Sequence, residues 1–209
     1  MQKAPDTLWP TNNRYDIPAL LKSVQADALD MPVMPWGSIA RSVRMPGTYH
    51  FYTDDYRFRA LIRKPEQLVA TECVTVVEPN FSVHHNMPFP VVLYRTFWKR
   101  WLARFWQGKG IRVFVDLNVP PEFLEINLLG VPDGWTAYAT RGYNARINHT
   151  LQEHDAACER AGTEDVLFVV FGGGAEVQEI CIEHAWLWIP EHADTSRGRV
   201  PWRNPTAQS

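Results

Sequence analysis

The sequence predicts one α/β domain, a mostly parallel sheet of six to seven strands wound into a small or incomplete (β/α) barrel; an open doubly wound sheet is the alternative. Three observations lead there. Short β-rich runs recur at 49–53, 73–77, 111–115, 135–139, 166–171 and 185–189, with another candidate at 38–43. Helix-patterned segments at 55–70, 90–107, 144–161 and 175–184 lie between several of them. The runs IRVFV and VLFVVF are apolar almost throughout, as strands covered on both faces must be. Strands alternating with helices make βαβ units, which build parallel sheets. The units follow one another without a clear reversal, which favours the barrel.

Taken in order, residues 1–35 hold Pro5, Pro10, Pro18, Pro32 and Pro35. Proline fixes φ and lacks an N–H, so this stretch reads as irregular, with a short helix around 17–28. The domain proper reads as 36–190. After the run at 49–53, Thr53-Asp54-Asp55 leads into a helical pattern. Asp55 is placed to cap that helix by reaching N–H groups two or three residues on, while Asp54 is free to face the strand ends. The segment VVLYRTFWKRWLARFWQGKG, 91–110, is the clearest helix, stopped by Gly108 and Gly110. Tyr94, Phe97, Trp98, Trp101, Leu102 and Phe105 form one contiguous stripe at helical spacing, with Lys99 and Arg100 opposite. A continuous stripe suits packing on a sheet better than single aromatics spaced to stack on nucleic-acid bases. The expectation is therefore a buried stripe, with Trp98, Trp101 and Phe105 inside and Lys99 and Arg100 in solvent. Residues 120–134 break the rhythm and hold only a short helix or turn. The polar, proline-punctuated tail, 191–209, reads as loose.

Composition narrows the function classes. The 209 residues are 45% hydrophobic and carry a net charge of −2, without the basic excess of proteins that grip DNA through its phosphates. Cys73, Cys158 and Cys181 make neither a disulfide framework nor a zinc pattern. His84 and His85 are adjacent, and His149 and His154 are five apart, which suits no common helical metal pair. No stretch reaches membrane length and the first residues show no apolar signal core. The reading is a soluble cytoplasmic protein with no membrane association.

In parallel α/β folds, ligands bind beyond the carboxyl ends of the strands. The residues following the predicted strands are therefore the candidates. Asp54, Glu78, Asp116 and Arg141 would converge there as acid, base or anion-binding groups, because clustered carboxylates raise one another's pKa. No complete metal set is apparent; Asp54 and Asp116 are the candidate ligands if Mg²⁺ is the cofactor. Gly172, Gly173 and Gly174 form a glycine turn entering a helix, a natural anion site and a candidate for binding phosphate. The turn is neither a Walker loop nor a dinucleotide fingerprint.

The segments FYTDDYRF, EPNFSVHHNMP and YRTFWKRWLARFWQGKGIRVFVDL together resemble an uncharacterised domain family, of unknown function, found in bacteria, phages and mobile genetic elements. Its pattern is aromatic-x-Asp-Asp-Tyr, then Pro-Asp-Phe-Ser with Met-Pro after it, then a helix rich in Arg and Trp. The match covers roughly 36–190 and picks out Asp54, Asp55, Tyr56, Pro79, Phe81, Ser82, Met87 and Pro88. This chain has Asn80 where the pattern has aspartate, so a general base at that position is missing here. The resemblance implies a phage or mobile-element setting. The leading expectation is a protein of nucleic-acid metabolism, a hydrolase or glycosyl-type transferase acting on a phosphate-bearing nucleotide or nucleic acid. The alternative is a non-catalytic adaptor that binds and redirects a DNA replication or recombination protein.

Overall fold

A computed structural model of the chain describes residues 7–37 and 44–191. Its core is a seven-stranded sheet in which every neighbouring pair is parallel and the spatial order follows the chain order. The strands are β1 (Val33–Pro35), β2 (Thr48–His50), β3 (Thr75–Val77), β4 (Arg112–Asp116), β5 (Ala137–Arg141), β6 (Leu167–Phe171) and β7 (Leu187–Ile189). The sheet curls, but β1 and β7 do not pair, so the barrel is half closed. Strand order equal to chain order is what right-handed βαβ crossovers repeated in one direction produce. This is the incomplete barrel expected from the sequence.

The six predicted runs all form strands of that sheet. The seventh strand is β1, in the proline-rich stretch read as irregular, whereas the candidate run at 38–43 lies outside the described residues. Pro35 is accommodated because β1 is an edge strand, where one face of the ladder needs no donor. The preceding residues pack against the core: Ile17, Leu20 and Ala26 are buried, although only Lys22–Val24 forms a helical turn.

The helices are α1 (Glu66–Val69), α2 (Phe89–Gln107), α3 (Leu124–Asn127), α4 (Ile147–Ala161) and α5 (Gly174–Glu183). The predicted helix at 55–70 is broken into two 3-10 turns and the four-residue α1, with Pro65 directly before α1. Among the described residues no helix is long and apolar enough to cross a membrane.

Alternation along the strands separates two apolar layers. Tyr52, Val77, Phe114, Ala137, Ala139, Val169, Phe171 and Ile189 cluster on one face. Tyr49, Val76, Val113, Val115, Tyr138, Phe168 and Val170 pack on the other, with helix residues such as Leu102, Trp106 and Ala157. Period-two side-chain alternation makes this division automatic.

Helix α2 corrects one expectation. Trp98 and Trp101 are buried and Phe105 is half-buried, but Lys99 and Arg100 are 2% and 0% exposed. The basic side of the helix faces the sheet. The aromatic flank is covered from outside by the N-terminal segment: Trp101 Nε1 donates to the Thr7 carbonyl at 3.0 Å, and Arg104 lies 4.5 Å from the Trp9 ring centre. The reason is the pair of carboxylates at the ends of β3 and β4, which would be buried and unpaired without these two cations.

Candidate functional site

Glu78 and Asp116 are where the sequence puts them, at strand ends, and both are fully buried. Glu78 Oε1 is ion-paired with Arg100 Nη1, and Glu78 Oε2 accepts the Asp116 N–H at 3.2 Å. Asp116 Oδ2 meets Lys99 Nζ at 2.7 Å, while Oδ1 accepts the Tyr52 hydroxyl at 3.0 Å and the Asn118 N–H at 3.1 Å. Lys99 Nζ also donates to Asn127 Oδ1 at 2.7 Å and to the Asp116 carbonyl at 3.1 Å. Arg100 completes its fork on the Asn127 and Leu129 carbonyls. Two carboxylates and two cations cancel within one hydrogen-bonded layer. Such a layer is costly to desolvate and costlier still to break. With both its oxygens committed, Asp116 has little capacity left for Mg²⁺ or a proton-transfer role.

Above this layer a cleft of about 960 Å³ opens at the carboxyl ends of the strands. It is within the size range of small-molecule sites. Asp54 and Arg141 line it; Glu78, Asp116 and Gly172, Gly173 and Gly174 do not. The predicted rim therefore divides into two residues at the cleft and two beneath it. Asp54 stands at the mouth with its side chain 68% exposed, 3.6 Å from Arg57. Among the described residues no three His, Cys, Asp or Glu side chains are grouped to hold a metal ion.

Asp55 is not a cap. Its carboxylate accepts the Ser82 hydroxyl at 2.7 Å and the Ser82 N–H at 3.2 and 3.3 Å. No side-chain cap bond starts the turn Asp55–Arg57. The residue instead ties the β2 exit to the loop after β3, which carries Asn80, Ser82, His84 and His85 into the cleft wall. The acidic pair thus has two jobs, one at the cleft and one between loops.

The glycine turn is explained by packing. Gly173 has φ of 91°, and a Cβ there would fall 2.6 Å from Val177 Cγ2 and 2.8 Å from the Gly142 carbonyl carbon. Only glycine lets α5 approach β5 this closely. The Glu191 side chain lies against Gly172, so a phosphate reaches this turn only by displacing a carboxylate.

Among the other lining side chains, His50, Tyr52, Arg146, Thr150 and Glu153 were not singled out in the sequence, and His149 was considered only as a metal ligand. His50 and Tyr52, two apart in an extended segment, project to the same face. Arg146, His149, Thr150 and Glu153 recur at helical spacing along the start of α4. That periodicity was the available signal, and it reads equally well as an ordinary solvated helix face. His50 is buried against Phe171, with ring centres 4.6 Å apart. Burial, and then the Arg141 guanidinium, push its pKa down to about 3, so the imidazole is neutral. Its Nδ1 accepts the Tyr52 N–H at 3.4 Å. Burial, and then the neighbouring Asp116 carboxylate, hold the Tyr52 phenol protonated.

Glu153 is 3% exposed and its Oε2 accepts the Thr140 hydroxyl at 2.6 Å. Burial raises its pKa well above the ordinary carboxylate value; Asp116 adds to the rise, while Thr140 and Lys99 oppose it. Arg141 is locked to Glu191, with Nε–Oε1 2.9 Å and Nη2–Oε2 3.0 Å. Arg146 has no carboxylate partner among the described residues, only the Tyr143 ring 5.5 Å away. His85 contacts Glu122 at 2.9 Å and the His149 ring at 6.0 Å. With Glu153 neutral, the cleft's three arginines outnumber Asp54 and Glu191 by one positive charge before any histidine is protonated.

The chain belongs to a family described as Domain of unknown function (DUF4417), whose model matches residues 9–153. This confirms the family resemblance. Among curated proteins it is similar to the "Gene 1 protein" of Mycobacterium phage D29, 29% identical over 164 residues, covering 76% of this chain and 58% of that protein. It is also similar to the "Gene 1 protein" of Mycobacterium phage L5, 32% identical over 93 residues, covering 43% of this chain and 41% of that protein. The chain thus spans little more than half the length of the first of these relatives and less than half of the second. Phages encode relatives of this chain. No solved structure matches it.

Proposed function

We propose that this family member binds a phosphate-bearing nucleotide, free or at the end of a nucleic acid, in the cleft at the carboxyl ends of its strands. The setting is the nucleic-acid metabolism of a phage or mobile element in the cytoplasm of its bacterial host. The observation that carries the reading is Arg146, an exposed cation with no carboxylate partner among the described residues, at the mouth of a cleft whose acids are paired or neutral. An arginine fork without a carboxylate is suited to phosphate oxygens. Arg57 and His149 flank the same space. The apolar wall from Val83, Val119, Phe171 and Ile189 suits the uncharged part of a nucleotide.

If the chain is catalytic, the reaction class is hydrolysis or glycosyl-type transfer, with Asp54 the acid or base at the cleft and Arg141 held by Glu191 to orient the ligand. Glu78 and Asp116 act as positioning residues: Asp116 holds Tyr52 and Asn118 from below, and Glu78 holds the Asp116 backbone. Calorimetric titration with nucleoside 5′-monophosphates tests the reading. Arg146→Ala should lower affinity by about ten-fold, the usual loss for one charge-assisted contact, with melting unchanged. If wild-type protein binds no nucleotide but retains a host replication or recombination protein, the adaptor function replaces this one.

A further inference from the structure

We propose that the Glu153 carboxyl donates a hydrogen bond to the base of the bound nucleotide, and so recognises the base while Arg146 holds the phosphate. The inference rests on the cleft reading above and adds the residue that selects the ligand. Its warrant is geometric. Glu153 is more than nine-tenths buried and still lines the cleft. Oε2 accepts the Thr140 hydroxyl, and Oε1 has no protein partner among the described residues. Glu153 therefore presents to the cleft a carboxyl oxygen that the protein leaves to a ligand or water.

The surroundings decide which proton state is presented. Asp116 on β4 faces Glu153 and carries the Lys99 ammonium of α2 on its other side. Tyr52, from the β2 exit, is committed to Asp116. His149 and Arg146 precede Glu153 at the start of α4 and lie toward the mouth. Lys99 is bound to Asp116 and Asn127, so it only partly offsets the burial of Glu153. A neutral carboxylic acid, with one oxygen accepting from Thr140 and the other side donating, fits this field. Purine and pyrimidine rings offer the acceptors it needs, ring nitrogens and carbonyls. A sugar phosphate alone has no such planar acceptor to place over the wall of Phe171 and Ile189.

The experiment titrates wild type, Glu153→Gln and Glu153→Ala with adenosine and uridine 5′-monophosphate and with ribose 5-phosphate. Glutamine carries a donor and an acceptor in the same shape. In wild type at least one nucleotide should bind about ten-fold tighter than ribose 5-phosphate, the discrimination expected of one buried polar contact. Glu153→Gln should keep that preference and Glu153→Ala should lose it. As pH rises the wild-type preference should fall while that of Glu153→Gln stays flat, because deprotonation removes the donor. Phosphate titration is common to both proteins and cancels in the comparison. If wild type shows no preference for nucleotide over ribose 5-phosphate, or Glu153→Gln shows the same pH profile as wild type, the inference is wrong and the phosphate cleft stands. If no phosphate compound binds, the cleft reading fails and this one with it. Should Glu153→Ala not fold, the Glu153→Gln profile alone decides.

Discussion

Arg100 and Arg146 both reach the carboxyl end of the sheet, one from the middle of α2 and one from the turn before α4. Arg100 is fully buried and its fork is filled by Glu78 and two carbonyls. Arg146 is exposed, with only an aromatic ring beside it. The layer beneath the cleft and the mouth of the cleft are therefore built from the same residue types with opposite accounting. In the lower layer every charge has a partner and removal leaves another charge orphaned. At the mouth a charge is left over, and its partner must come from outside. Position at a strand end did not distinguish the two; pairing does.

Removing one member of the lower layer should produce the largest effect. Arg100→Ala strands Glu78 in a dry site, and breaking a buried pair in this way costs about 3–5 kcal/mol. Denaturant unfolding of the variant measures it. The comparison sharpens if Arg100→Ala combined with Glu78→Leu recovers part of that loss, because the double change leaves no orphaned charge, although the Asp116 N–H and two carbonyls lose their partners. It breaks if Arg100→Ala unfolds like wild type.

Acid comes next, acting through His50. Its folded pKa of about 3 lies below the ordinary value of 6.5, so the native state holds the ring neutral. The unfolded chain takes up the proton first, and the stability that His50 contributes is complete above pH 6.5 and lost as pH falls toward 3. At about pH 5 the loss is about 2 kcal/mol. Wild type should therefore fall relative to His50→Gln between about pH 7 and pH 5 in paired urea titrations. Parallel curves would mean that the ring takes up its proton in the folded cleft. Glu153 has the opposite sign: its raised pKa makes its contribution complete below the unfolded carboxylate range and lost as pH rises.

Asp55→Ala follows. It removes the carboxylate that accepts three contacts from Ser82, two to its N–H and one to its hydroxyl, in a half-buried setting. The expected cost is about 1–2 kcal/mol, from charge-assisted hydrogen bonds. Nucleotide affinity should fall too, since the loop carrying Asn80 and His84 is freed. Ser82→Ala should reproduce part of both effects. A cap residue would give the first effect without the second.

How much of this was legible follows from what each feature depends on. The barrel was legible because IRVFV and VLFVVF state double-sided burial in their composition, and a chain-order parallel sheet follows from βαβ units. Helix α2 was legible as a helix, and Trp98 and Trp101 as buried, whereas Phe105 is half-buried and Tyr94, at the start of the stripe, is exposed. The orientation of the helix was not legible, because the direction of Lys99 and Arg100 depends on Glu78 and Asp116, contributed from β3 and β4. The same dependence hid Asp55: a cap is a local contact, whereas Ser82 lies 27 residues away. Gly173 reads as an anion loop by sequence, yet the space for a side chain there is taken by Val177, on the helix it opens, and by Gly142, after β5. The α4 face that lines the cleft was present as a periodicity, but nothing in one helix says whether solvent or a cavity lies beyond it.

The smallest effect on stability is expected at Asp54, where the comparison between the two regions is closest to failing. Its carboxylate is mostly exposed, and its one ion pair, with Arg57, is loose at 3.6 Å. Exposed pairs of this kind contribute about 0–1 kcal/mol, so Asp54→Asn should leave the melting curve nearly unchanged. Its effect on binding carries the information. If the mouth attracts phosphate through surplus positive charge, Asp54 is a repulsive element there. Its removal frees Arg57 and should strengthen nucleotide binding by about two- to three-fold, a change of the size one screened charge produces. The gain should shrink at high salt. If Asp54→Asn abolishes binding or turnover while the melting curve stays fixed, Asp54 is an acid, a base or a Mg²⁺ ligand that the reaction needs. Repeating the titration with and without Mg²⁺ separates those roles, because only a metal ligand would make the wild-type affinity depend on the ion and remove that dependence in the variant.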